Sequence, residues 1–201
     1  MDEQMDRREA IWELDKDERI NMMVANAQEF YETLDNDTAI ADDFLKHCSA
    51  LFQMLTAQQE AGEKAPLRYV TMSFLKSSVI TETYEIAITC HSVDLYMDET
   101  ETEVYWRMDF MRDMVDNDMK RIAPRIKEEI IRTYNHEIED FRYYYAQTYT
   151  ALLLTFFSRF LHRIFELPEF LAVQKEKQVD VSFGGYMEKA VPLIQYEKEI
   201  A

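Results

Sequence analysis

Glycine is scarce in this chain, at 3 of 201 residues, and proline is scarce too, at 4. An all-β sandwich or barrel needs both for its many tight turns, so that class is excluded. Three glycines cannot build a GxGxxG or GxxxxGK[ST] loop, and neither motif is present, nor is a GxSxG nucleophile elbow. Cysteine is limited to Cys48 and Cys90, with no CxxC. The two read as buried thiols in a reducing compartment rather than a disulfide or a metal site. The four histidines, His47, His91, His136 and His162, fall in four different expected elements. They make no HExxH, HxH or Glu-x-x-His pair, so no metal and no cofactor is expected.

Long apolar runs are missing as well. The longest, residues 151–157, is far below the ~20 residues of a membrane-spanning helix. The first residues, MDEQMDRRE, are charged and contain no apolar core of a secretory signal, so a cytoplasmic location is expected. Positive charge is in deficit: 22 Lys and Arg stand against 39 Asp and Glu, a net charge of −17. Such a chain repels nucleic acid and anionic membrane surfaces and attracts a basic partner. The imbalance is uneven along the chain. Residues 1–65 hold 16 acidic and 6 basic side chains, whereas residues 124–201 hold 12 and 10.

What is present is the material of a folded core: 47% hydrophobic residues, with twelve each of Phe, Tyr and Met. The length suits a single domain over residues 1–201. Residues 1–16 carry few apolar anchors and read as a frayed or marginal helix pinned by Trp12. Residues 17–34 place Ile20, Met23, Val24, Ala27, Phe30 and Leu34 at helical spacing, behind Asp17 and Glu18, which suit a helix N-terminus. A second helix is expected from about 38 to 61, stopped by Gly62 and Pro66. The short link between them predicts an N-terminal helical hairpin.

The period then changes to two. Val70, Met72 and Phe74 alternate with Tyr69, Thr71 and Ser73, and the same pattern runs through residues 83–96. Two strands of a small antiparallel sheet are expected there. Val179, Val181 and Phe183 predict a further strand, and residues 191–196, with Pro192, an edge strand. Residues 103–107 fit either a strand or the start of a helix capped by Thr100 and Glu103. Residues 124–165 contain no glycine or proline after Pro124 and repeat apolar positions at three and four. They predict one long central helix, amphipathic first and apolar all round from residue 151. The fold class is α+β, predominantly α-helical.

Two groups of side chains are candidates for binding. His91, Asp94, Tyr96, Asp98, Trp106 and Asp109 cluster where the second strand ends and the next helix begins. Carboxylates beside amphipathic aromatics suit a cationic or peptide ligand, with polar turn formers and a core Trp as the plainer account. Arg159, His162 and Arg163 lie within an apolar segment and require anionic partners, either carboxylates of the chain or a bound anion. The tyrosines at 143, 144, 145 and 149 beside Arg142 form a third aromatic group, of which at most two share a helix face. Cys90 and His91 are strand neighbours and point to opposite faces, so they make no Cys–His pair. No catalytic residue is expected. The function expected is a non-enzymatic protein–protein interaction module, an adaptor, inhibitor or immunity-type protein that binds a basic-surfaced protein and no nucleic acid or membrane. The alternative is a small-molecule-binding protein or enzyme of unfamiliar type, with a pocket between the sheet and the long helix. A homodimer through the apolar end of that helix is a third reading.

Overall fold

A computed structural model describes residues 2–197; the side chains of residues 2–6 and of Tyr96 lie outside the described set. In chain order the elements are α1 (Asp2–Glu13), α2 (Lys16–Asn36), α3 (Ala39–Glu60), β1 (Leu67–Phe74), α4 (Lys76–Ile80), β2 (Glu85–His91), β3 (Glu103–Arg107) and α5 (Asp109–Glu129). Then follow α6 (Asn135–Thr148), α7 (Thr150–Phe160), α8 (Pro168–Ala172), β4 (Lys175–Gly185) and β5 (Val191–Glu197). Short 3₁₀ turns sit at Leu95–Met97 and Leu161–Glu166. The chain is α+β and mostly helical, with a five-stranded mixed sheet.

Its contacts form two compact units. The first takes residues up to 37, 77–84 and 108–153; the second takes 38–76, 85–107 and 154 onward. The helices α2 and α3 form where the apolar spacing places them. They do their packing in different units, so a self-contained helical hairpin is not the organising motif.

The first unit is helical. Helix α2 buries Met22, Phe30 and Leu34, and Phe30 stacks on Phe110 with ring centroids 4.9 Å apart. Helix α5 buries Met111, Val115, Met119, Ile122 and Ile126, one continuous stripe. Pro124 lies inside α5 and does not begin a helix as expected. An interior proline costs roughly 3 kcal/mol, and the stripe that runs past it to Ile126 offsets the lost bond.

The single long helix expected over 124–165 is broken at two places and gives way to a 3₁₀ turn at Leu161–Glu166. After α5 the chain turns through residues 130–134, with Arg132 at φ 57°. Thr133 Oγ1 donates to the carbonyls of Ile126 and Ile130, closing the end of α5. The Tyr134 amide donates to Glu137, opening α6. A second, slighter break falls at Tyr149. The flanking threonines each donate to the carbonyl three residues back, Thr148 to Tyr145 and Thr150 to Gln147, in competition with the helical ladder.

The second unit is built on the sheet, in the order β3-β2-β1-β4-β5. All neighbours are antiparallel except β1 and β4, which run parallel, so the expectation of an antiparallel sheet is corrected to a mixed one. Residues 103–107 settle as strand, and the capping box at Thr100 and Glu103 does not form. Register aligns the apolar faces: Met72 lies between Ile88 and Phe183, and Val70 between Cys90 and Val181. Against this face α3 buries Phe44, Cys48, Leu51, Phe52 and Leu55. The Phe44 ring lies 5.0 Å from Trp106 and 5.5 Å from Phe156. The edge strand β5 carries Pro192 where a missing amide is tolerated.

Candidate binding surfaces

The end of β2 leads into a loop that folds back on itself. Ser92 is buried, and both its amide (2.8 Å) and its hydroxyl donate to Asp98. Lys64, with only 3% of its side chain exposed, meets the same carboxylate at 2.9 Å and donates to the Thr100 carbonyl at 2.5 Å. A buried ammonium is stable only with such partners. Burial would raise the Asp98 carboxyl, but the Ser92 and Lys64 contacts outweigh it and hold the group below the ordinary carboxylate range. His91 contacts Thr71 Oγ1 at 3.1 Å and the Leu95 carbonyl. Burial lowers the imidazole pKa, and Lys64 acts in the same direction, so the ring is neutral at neutral pH. Burial pushes the Cys90 thiol up, which suppresses the thiolate.

The cleft beside this loop, about 260 Å³, is lined by Lys64, His91, Leu95 and Asp98 among others. Lys64 and Asp98 pair across it, and His91 is held by Thr71 and the Leu95 carbonyl. Among the described residues no buried side-chain nitrogen or oxygen lacks a partner.

The structure gathers part of the expected corner and separates the rest. His91 and Asp98 share the cleft, and Asp94 is exposed at the start of the adjoining 3₁₀ turn. The side chain of Tyr96 lies outside the described residues. Trp106 pairs with Ile86 at the far end of the ladder from His91. It is 1% exposed, and its indole donates to Asp43 at 3.0 Å. Asp109 opens α5 in the other unit and pairs with Arg112 at 2.8 Å. Of the cationic trio, Arg159 and His162 are exposed, and Arg163 meets Asp42 at 3.2 Å. Among the described residues no three His, Cys, Asp or Glu side chains converge as metal ligands would.

The larger feature lies in the helical unit. A groove of about 880 Å³ runs between α5 and α6 and the segment around α4. Val79, Ile80, Met119, Ile138 and Tyr143 supply its apolar surface. Four carboxylates, Glu82, Asp116, Glu139 and Asp140, stand against two cations, Lys120 and Arg142. Arg142 is already neutralised: it pairs with Glu82 at 2.8 Å and with Asp116, and donates to the Tyr84 hydroxyl at 3.2 Å. Glu139 and Asp140 are exposed. The sequence singles out Arg142, Tyr143 and Tyr144 but not the carboxylates around them. Those come together only once α5 and α6 separate at residues 130–134 and fold side by side.

The other two tyrosines of the run turn inward. Tyr145 and Tyr149 donate to buried Asp118, Tyr145 at 2.7 Å and Tyr149 at 2.5 Å. Asn26 donates to the same carboxylate at 3.0 Å. Burial raises both phenols, and the Asp118 contact adds to it, so both stay protonated donors. This knot joins α2, α5 and the end of α6.

No protein-family model, curated protein or solved structure matches the chain.

Proposed function

We propose that the protein is a non-enzymatic interaction module, cytoplasmic, that docks a basic-surfaced protein in the groove between α5 and α6. The observation that carries this reading is the groove itself: apolar side chains for contact area, ringed by carboxylates in excess of cations. The surroundings reinforce its sign. The helical unit holds 22 acidic and 11 basic side chains, a net −11 of the total −17. A field of one sign steers an oppositely charged partner and raises the association rate. The cleft at His91 supports a ligand-binding role less well, because Lys64, His91 and Asp98 are already engaged within the protein.

The test is affinity capture followed by native mass spectrometry, with wild type and a Glu139→Lys, Asp140→Lys double variant. The expected result is a stoichiometric basic polypeptide on wild type. It is released as salt rises from about 0.1 M to about 0.5 M, where the screening length shortens, and it is absent from the variant. A polypeptide held equally by both proteins removes the groove from the reading. A bound mass of a few hundred daltons in its place favours a small-molecule binder or enzyme.

A further inference from the structure

The helical unit already shows which cation its α6 surface accepts. Arg7 grips Glu137 with two parallel bonds, Nε to Oε1 and Nη2 to Oε2, each 3.0 Å. Its guanidinium also donates to the carbonyls of Ile131 and Arg132, both at 3.2 Å. Arg8 lies over the Tyr144 ring, 4.0 Å from its centroid. In the groove wall, Arg142 spreads its nitrogens over two carboxylates and a phenol hydroxyl. Twice, a flat guanidinium is held on α6, once by a carboxylate fork and once by an aromatic face. A compact ammonium can meet neither geometry as well.

The groove continues this surface. Asp140 lines it and also lines the smaller cavity beside Arg8, Ile11 and Trp12, about 270 Å³ in volume. Glu139 and Asp140, with Tyr143 nearby, reproduce the carboxylate-and-aromatic setting that holds Arg7 and Arg8. The walls also restrict the backbone of an occupant. Apart from Glu82 they are helices, whose interior amides and carbonyls are spent within the helix, and no strand lines the groove, so it offers no open sheet edge. An extended segment laid there would bury unpaired backbone groups, whereas a helix brings its own bonds satisfied.

From this we infer that the groove takes an amphipathic helix bearing arginine. Its apolar face lies on Ile80 and Ile138, over buried Met119. Its arginine pairs with Glu139 and Asp140 and stacks on Tyr143. This inference rests on the reading of the groove as the docking surface.

The experiment uses two labelled synthetic helices of about 18 residues, long enough to hold helical structure. They share one leucine and alanine face; one carries arginine and the other lysine at the same positions. Binding is followed by fluorescence anisotropy with the full chain and with Tyr143→Leu and Glu139→Gln, Asp140→Gln variants. The arginine helix is expected to bind about tenfold more tightly than the lysine helix. Tyr143→Leu, which keeps the apolar volume, lowers the affinity for the arginine helix severalfold and leaves the lysine helix unchanged. The double amide variant weakens both. Equal affinity for the two helices overturns the arginine inference and leaves a basic partner in the groove standing. Binding that none of the variants alters places the peptides elsewhere and removes the groove from both readings. If neither helix binds while a basic polypeptide is still captured through Glu139 and Asp140, the helical occupant is wrong and the docking surface stands.

Discussion

His91 illustrates how much a single side chain depends on its surroundings. In the sequence it is one of four histidines and a candidate ligand contact. In the fold it is a neutral ring fixed between Thr71 and Leu95, with Lys64, Asp98 and Glu103 as the charged groups near it. Its folded pKa lies below the ordinary 6.5, so the unfolded chain takes up a proton first as the pH falls. The stability contributed by the neutral ring is present above about 6.5 and is lost as the pH drops through the folded value. Asp98 acts in a lower window, because its carboxyl is held below the ordinary 3.8. Wild type is therefore expected to lose stability as the pH falls below about 6.5, measured as a falling urea midpoint. His91→Gln is expected to flatten that slope; an unchanged slope means that another group titrates there. Trp106 shows the opposite case. Its plainer sequence reading, a core side chain, is the one the fold realises, with the indole on Asp43 and the ring against Phe44.

Elements were legible where one period held over many residues. Helices α2 and α3 and strands β1 and β4 follow directly from their apolar spacing. The break between α5 and α6 was not legible, because no glycine or proline marks it. The turn depends on Arg132 in the left-handed region and on caps from Thr133 and Glu137, and none of these residues is a strong signal in isolation. Asp118 was equally hidden: a carboxylate within an acidic stretch reads as surface, yet it is buried among three donors from α2 and the end of α6. Asp118→Ala leaves two phenols and an amide without their acceptor. It is expected to cost about 3 kcal/mol in urea denaturation, with Asp118→Asn, which keeps one acceptor oxygen, costing less. A loss below about 1 kcal/mol would mean that water or neighbouring groups replace the carboxylate.

The two units are woven from alternating segments, three to each, so neither is a continuous piece of chain. We propose that they nevertheless unfold as the single domain expected from the length. Calorimetry is expected to show one transition, with calorimetric and van't Hoff enthalpies equal. Two resolved transitions would separate the units. Among the described residues no helix is long and apolar enough to cross a membrane.

Composition and periodicity were enough for the class of fold, because scarce turn residues and repeated spacing are local properties of the chain. They were enough, too, for the excess of negative charge, which is a sum over residues. The parallel pairing of β1 with β4 was beyond their reach, since residues 75–174 lie between the two strands. So was the groove, whose apolar and acidic walls come from separate stretches around residues 80, 120 and 140. Contacts between distant segments depend on how buried faces fit together, and no local pattern of residues records that fit.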